Sequence, residues 1–266
     1  MQNKKDQYIA LLDEEKGEQD YQSYLEENTE FIPRHFVQNH GIHFSLLIRK
    51  LKISNDMITD FAFLSKSSIG WNYVLIEIEK PQSKFFKPGT TSPHSDFLQG
   101  ISQIKSWQAW FKDAGNKAHF ESQLLFLKKP IEQAPVTIRY VLVTGRRSEY
   151  ENSPEKIRLI NSYEDHDFKI MSFDSLAENI EHNCELYLGI RKQGSIEIQT
   201  KTLINKNIFD WCDESTIHLT NELKNTYLSE LDQIIASCSG NGLQKFQAEQ
   251  ARKLHRKISN MKTINA

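Results

Sequence analysis

Polar and apolar positions recur with different periods along the chain, and these periods predict its helices and strands. Apolar residues spaced three and four apart predict a helix over residues 18–28. Three runs rich in β-forming residues follow, at residues 44–53, 57–64 and 71–78. Residues 65–70 separate the last two runs, so we expect a hairpin turn there.

The pattern continues with a second helix and a fourth strand. Residues 95–112 carry a helical apolar stripe, and residues 137–144 are typical of a strand. The later segments are a helix beginning at Pro154, a strand at residues 168–172, a hairpin at 186–204, and helices at 220–235 and 244–261. The order helix, three strands, helix, strand indicates an α/β protein in which helices pack on a sheet.

Composition narrows the class of protein. The chain has 266 residues, of which 38% are hydrophobic, which suits one globular domain with additions or two small domains. Its 33 Lys and Arg nearly balance 35 Asp and Glu, for a net charge of -2. This balance excludes a histone-like basic protein and an acidic disordered tail, but it does not exclude a local basic groove.

Targeting and redox signals are weak. No apolar run approaches the roughly 20 residues that a membrane span needs, and residues 1–6 are too polar for a signal peptide. The three cysteines are too few and too scattered for a disulfide scaffold or a zinc site. We therefore expect a soluble cytoplasmic protein with no membrane partner.

Three acidic residues stand in or beside the predicted strands. Asp60 interrupts an apolar run, and Glu77 and Glu79 follow in the next strand. Their spacing of two places both glutamates on one face, so pairing of the two strands would gather all three carboxylates. The alternative is an edge strand whose acids are solvated. For Asp60 that alternative is weaker, because a buried carboxylate without a partner costs several kcal/mol.

Crowded carboxylates indicate a divalent metal. They repel each other, and Mg²⁺ or Mn²⁺ relieves that repulsion through oxygen ligands. Such a site suits phosphodiester hydrolysis, because the metal acidifies a water and stabilises phosphate charge. On the helix at residues 95–112, Gln103 and Trp107 share a face, which would bring Gln103 to the acids. A plain surface position for Gln103 is the alternative.

The segments around these residues resemble a known family. They are, in chain order, EQDYQSYLEENTEF at residues 18–31, TDF at 59–61, VLIEIEKP at 74–81, LQGISQIKSW at 98–107, VTGRR at 143–147 and IMSFDSL at 170–176. Together they resemble the C-terminal nuclease domain of the Shedu anti-phage defence proteins, within the PD-(D/E)XK nucleases. The resemblance implies a restriction-endonuclease-like core with a central mixed sheet flanked by helices, in the order αβββαβ.

The resemblance also implies a domain organisation and an activity. Residues 1–17 would be an N-terminal tail or short helix, 18–182 the nuclease core, and 183–266 a mainly helical extension. The activity would be Mg²⁺-dependent cleavage of phage DNA, with Mn²⁺ as a second suitable metal. The protein would be a homo-oligomer, with a tetramer as the expected form.

Residue roles follow from the same resemblance. Asp60 and Glu77 would be metal ligands, and Gln103 would lie beside the site and orient water or phosphate. Glu18 would supply the acid of the first helix, which in this superfamily can reach a second metal. Other acids on that helix compete with Glu18 for this role, namely Glu26 and Glu27.

The chain departs from the family pattern at Glu79, where many members of the superfamily keep lysine. A lysine would stabilise the attacking hydroxide or the phosphate, and a glutamate cannot. Glu79 would instead be a third metal ligand or a general base. Lys80 would contact phosphate at the strand end, although a regular strand sends it to the opposite face. The departure also favours the alternative function, a catalytically weak nuclease-fold module that binds DNA or a protein partner.

Overall fold

A computed structural model describes residues 2–178, 180–238 and 242–265 of the chain, so Met1, Asn179, residues 239–241 and Ala266 lie outside the described residues. The α-helices are α1 Gln2–Leu12, α2 Glu18–Glu27, α3 Ser95–Phe111, α4 Ala114–Ser122, α5 Pro154–Tyr163, α6 Phe173–Leu176, α7 Asn207–Trp211, α8 Asn221–Ser237 and α9 Gly242–Asn260. The strands are β1 Ile42–Arg49, β2 Phe61–Lys66, β3 Trp71–Ile78, β4 Val136–Val143, β5 Phe168–Met171, β6 Tyr187–Lys192, β7 Ser195–Ile198, β8 Ile217–Thr220 and β9 Thr263–Ile264.

The described strands form one mixed sheet of nine strands in the order β5-β4-β3-β2-β1-β6-β7-β8-β9. The three central strands β1, β2 and β3 are antiparallel neighbours, whereas β4 runs parallel to β3 and β6 parallel to β1. The predicted order of one helix, three strands, a helix and a strand is therefore present in α2, β1 to β3, α3 and β4, with α4 inserted before β4.

Alternation along β3 divides the core between the two faces of the sheet. Trp71 and Tyr73 belong to an apolar cluster that also contains residues of α3, α8 and α9. Val74 and Ile76 belong to a second cluster that also contains residues of α1, α2 and α6. Because side chains alternate across a strand, Glu77 continues the row of Trp71 and Tyr73 on the α3 face.

Local signals placed several elements well. The strand predicted at residues 71–78 is confirmed as β3, and the helix predicted to begin at Pro154 is confirmed as α5. Pro154 suits the first helical turn because its missing N–H has no intrahelical partner to lose. The Ser153 side chain caps the same helix by accepting the N–H of Lys156.

The strand predicted at residues 57–64 is wrong over its first half. Strand β2 begins at Phe61, and Asp60 stands just before it rather than inside it. The preceding residues instead form a connection, in which Ile58 pairs with Lys52 in an isolated bridge. Periodicity alone does not separate a short apolar run in a connection from a strand.

The C-terminal extension contributes strands as well as helices. The polar hairpin predicted at residues 186–204 is confirmed as β6 and β7, and β6 pairs with the central strand β1. The extension is thus continuous with the sheet of the core. Strand β8 and helix α7, which are four and five residues long, were not predicted. No helix within the described part of the chain has both the length and the apolar character needed to cross a bilayer.

Gly145 fixes the loop that follows β3. Its φ is +59°, and its N–H donates to the carbonyl of Lys80 at 3.1 Å. A Cβ at this position would lie 2.6 Å from a Phe85 ring carbon and 2.7 Å from the Ser83 carbonyl oxygen. Glycine is therefore required here both by the left-handed backbone and by the close approach of the 80–85 segment.

Alanine at Gly145 is expected to lower the free energy of unfolding by about 2–4 kcal/mol, from backbone strain and overpacking together. Urea unfolding would measure this loss. Gly89→Ala is the matched control, because Gly89 also has a positive φ, of +68°, but a Cβ there meets nothing within 4 Å. We expect the control to lose only about 1 kcal/mol. Equal losses in both variants would contradict the role of crowding at Gly145.

Candidate functional site

Asp60 lies where the ends of β1, β2 and β3 meet. Its carboxylate is buried and accepts three hydrogen bonds. Oδ1 accepts from Lys50 Nζ at 2.6 Å and from Gln22 Nε2 at 2.9 Å, and Oδ2 accepts from the backbone N–H of Ile78 at 2.7 Å. The buried carboxylate predicted from the sequence therefore has a cation and two further donors.

Asp60, Glu77, Glu79 and Glu18 are called the acidic cluster below. Glu77 is its most buried glutamate, at 9% exposure. Its Oε1 accepts from Gln103 Nε2 at 2.5 Å, while its Oε2 is buried and has no hydrogen-bond partner among the described residues. Burial raises the pKa of Glu77 to about 9, and the charges of Asp60, Glu79 and Glu18 add to this rise. The protein's own groups thus leave half of this carboxylate without compensation.

Glu79 follows β3 and is half-buried on the same face. Its backbone N–H continues the pairing with β4 by donating to the Val143 carbonyl at 2.9 Å. Its Oε1 lies close to Gly100 of α3: a Cβ added at Gly100 would be 3.5 Å from this oxygen. Burial raises the pKa of Glu79 to about 6, with contributions from the charges of Glu18, Asp60 and Asp96.

Helix α2 supplies a polar face to the cluster. Gln22 donates from Nε2 to both Glu18 Oε1 and Asp60 Oδ1, each at 2.9 Å. It therefore links Glu18 to Asp60. Glu26, one turn further on, forms an ion pair with Arg49 at 2.5 Å. Residues four apart share a helix face, which explains why Glu18, Gln22 and Glu26 all point towards the β1 to β3 ends.

The structure distinguishes among the three acids of α2 that were candidates for the same role, Glu18, Glu26 and Glu27. Glu18 raises the pKa of both site glutamates, whereas Glu26 is held by Arg49. Glu27 is exposed and has no hydrogen bond or ion pair among the described residues. Of the three candidates, Glu18 has the clearest electrostatic connection to Glu77 and Glu79.

Gln103 and Lys80 differ in their side-chain contacts. Gln103 is half-buried and donates to Glu77, so the structure places its side chain beside the acids. Lys80 is exposed, and its side chain makes no hydrogen bond or ion pair with any described residue. Its backbone carbonyl instead accepts N–H groups from Ser83 and Gly145, both at 3.1 Å.

Two residues of the site were missed by sequence reasoning, Lys50 and Gln22. The spacing of Gln22 four residues after Glu18 was a usable signal, since it puts the two on one helix face. Lys50 offered no local signal. It reaches Asp60 because the antiparallel strands β1 and β2 pair with Arg49 opposite Phe61. Lys50, which follows Arg49, therefore lies beside Asp60, which precedes Phe61.

The donor set suits a hard divalent cation. Asp60, Glu77 and Glu79 offer only carboxylate oxygens, which Mg²⁺ and Mn²⁺ prefer. The unpartnered Oε2 of Glu77 is an orphaned buried acceptor of the kind that a cation would satisfy. In the described residues, however, no three His, Cys, Asp or Glu side chains are already gathered closely enough to hold a metal ion. Asp60 and Glu77 are instead engaged by Lys50, Gln22 and Gln103.

These features define a mixed α/β protein with a buried acidic cluster at the junction of three central strands and two helices. The family model described as "Shedu protein SduA, C-terminal" matches residues 15–177. The match covers more than half of the chain and contains all of the cluster, so the chain belongs to the Shedu family. Family membership points to anti-phage defence. A comparison with curated proteins finds no match.

Proposed function

We propose that this protein is a metal-dependent DNA nuclease that hydrolyses phosphodiester bonds in defence of a bacterium against phage. The observation that carries the proposal is Glu77, a buried carboxylate with one unpartnered oxygen inside an acidic cluster. A protein gains nothing in stability from such a group unless a cation or substrate uses it. Membership of the Shedu family supports the same activity.

Asp60, Glu77 and Glu79 are the residues that would hold Mg²⁺, or Mn²⁺ in its place. When bound, the metal acidifies a water and stabilises negative charge on the phosphate. In hydrolysis the water oxygen bonds to phosphorus and one P–O ester bond breaks. The leaving oxygen takes one proton, and the second proton is lost from the new phosphate monoester.

The chain's own residues would orient these groups. Gln103 holds Oε1 of Glu77, so it fixes which oxygen faces the site. Gln22 donates to Oδ1 of Asp60 and connects this carboxylate to Glu18. Glu79 is the least buried of the three acids, and we assign to it either the third ligand position or the acceptance of the water proton. Lys80, exposed at the end of β3, is assigned a contact with the DNA backbone.

The substrate would be phage DNA, and the working form a homo-oligomer, with a tetramer as the expected assembly. We place the protein in the cytoplasm, where phage DNA enters. These assignments rest on the family resemblance.

The test is a cleavage assay on supercoiled and linear DNA with Mg²⁺, Mn²⁺ or EDTA, using wild type and Asp60→Asn. Asp165→Asn is the matched control, because Asp165 also accepts from a lysine and a glutamine, Lys105 and Gln108, but is far more exposed. We expect metal-dependent cutting by wild type and the control, and none by Asp60→Asn. Metal binding by calorimetry without cutting of either DNA would contradict the nuclease activity.

A second function, a DNA-binding or protein-binding module with little activity, is favoured by Glu79. This carboxylate stands where many nucleases of the superfamily keep a lysine, so the cation that would stabilise the attacking hydroxide or the phosphate is missing at this position. The module predicts neither metal binding nor cutting. Calorimetric titration with Mn²⁺ separates the two functions, because the nuclease requires the cluster to bind a cation.

A further inference from the structure

Lys50 brings a positive charge to the acidic cluster from an unexpected strand. It follows the last residue of β1, and its Nζ lies 2.6 Å from Asp60 Oδ1. Its charge also lowers the pKa of Glu77, against the larger effects of burial and the neighbouring acids. The ammonium therefore acts electrostatically on two of the three proposed metal ligands.

The backbone holds Lys50 in an unusual conformation at this place. Its φ is +49°, in the left-handed region that lysine seldom adopts. The Lys50 N–H donates to the Asp60 carbonyl at 2.8 Å, and the Thr59 N–H donates to the Leu51 carbonyl at 2.9 Å. Main chain and side chain of Lys50 are thus both tied to Asp60, so its ammonium is positioned and not merely nearby.

We propose that Lys50 contacts the DNA phosphate at this site and takes the place of the lysine that Glu79 replaces. The inference rests on the proposed nuclease function. An ammonium has three N–H donors, and in the structure one of them is engaged by Asp60. The side chain is 43% exposed, so the other donors can reach a phosphate that approaches from solvent.

Other nearby cations fit this task less well. Arg49 is engaged by Glu26 at 2.5 Å, and Lys80 has no contact that orients its ammonium. A phosphate that approaches Asp60, Glu77 and Glu79 is repelled by their charges, and a fixed positive charge beside them would reduce this repulsion in addition to a bound metal. Lys50 supplies that charge at Asp60 itself.

DNA affinity tests the contact without requiring cleavage. Binding of a short duplex would be measured by fluorescence anisotropy in Ca²⁺ across a salt series, for wild type, Lys50→Met, Lys50→Arg and Arg49→Met. Log affinity falls linearly with log salt concentration, and each phosphate contact increases the magnitude of this slope by about 0.9. We expect the slope to fall by about 1 in Lys50→Met, and to stay unchanged in Lys50→Arg and in the control Arg49→Met.

Cleavage and metal affinity provide the remaining readouts. In single-turnover assays we expect Lys50→Met to cut DNA about 100-fold more slowly, while Mn²⁺ affinity is retained or rises because Asp60 loses a competing cation. Lys50→Gln, which can still donate to Asp60, repeats the test if Lys50→Met does not fold.

Two outcomes separate this inference from the nuclease function. An unchanged salt slope together with tighter Mn²⁺ binding would overturn the inference, because Lys50 would then be only a counter-ion of Asp60. If wild type never cuts DNA, the nuclease proposal fails, and the salt slope still decides whether Lys50 contacts phosphate.

Discussion

Glutamine at Glu77 is expected to slow metal-dependent DNA cleavage by about a thousandfold or more, equivalent to about 4 kcal/mol of activation free energy. The substitution keeps the shape of the side chain and leaves an oxygen that can still accept from Gln103 Nε2. It removes the negative charge that a divalent metal needs at this buried position. Single-turnover cleavage with saturating Mg²⁺ and calorimetry with Mn²⁺ would measure the two losses.

Glu30→Gln is the matched control for this substitution. Glu30 is buried to a similar degree and also has one buried carboxylate oxygen without a partner among the described residues, but it pairs with Lys4 outside the cluster. We expect the control to cut DNA at the wild-type rate. If Glu77→Gln retained both metal affinity and cleavage, Glu77 would not be a ligand and the proposed site would be wrong.

The same substitution is expected to stabilise the metal-free protein, and increasingly so as pH rises. The pKa of Glu77 is raised to about 9 in the folded protein from its ordinary value near 4.5. Between these values the unfolded chain has lost the proton while the folded protein keeps it. Folding therefore becomes less favourable with rising pH, by at most about 1.4 kcal/mol per pH unit. Glutamine has no proton to lose and escapes this penalty.

Urea unfolding in EDTA at pH 6 and pH 8 would measure the effect. We expect the stability advantage of Glu77→Gln over wild type to grow by about 2 kcal/mol across this interval. The expected growth is smaller than the limit because other acids of the cluster, such as Glu79, also titrate. If wild type and variant changed in parallel between the two pH values, the carboxyl of Glu77 would already be ionised in the folded protein.

Together these two expectations describe a trade between stability and function at one residue. In metal-free protein Glu77 is a cost, because its burial and its acidic neighbours disfavour the charged form. This loss of stability serves a function only if a bound cation compensates the charge of Glu77. A variant that is more stable without metal and inactive with metal would be the clearest support for the site.

Several elements and acids could be predicted because their signals are local. The β-forming run of β3 and the proline that starts α5 act through neighbouring residues, and both elements were predicted correctly. Gln103 donates to Glu77, a position that the family resemblance implied and that the helical spacing with Trp107 left open. Asp60 was predicted as a buried acid for a sound reason, although it precedes β2 and does not lie within it.

Other features depended on contacts between distant segments. Strand β6 adds to the sheet beside β1 although about 140 residues separate them, and no local period indicates that pairing. Helix α4 has only one buried residue, Phe120, so its apolar stripe was too narrow to detect.

The sequence by itself determined which residues could carry the chemistry, namely the acids at 60, 77 and 79. It also indicated that Glu77 and Glu79 share a face, and it gave the order of elements around them. Only the tertiary structure decided their partners. Gln22 arrives from α2, Gln103 from α3, and Lys50 from the end of β1. The physical reason is that strand register and helix packing bring these side chains together across long stretches of chain, whereas periodicity records only the face on which each residue lies.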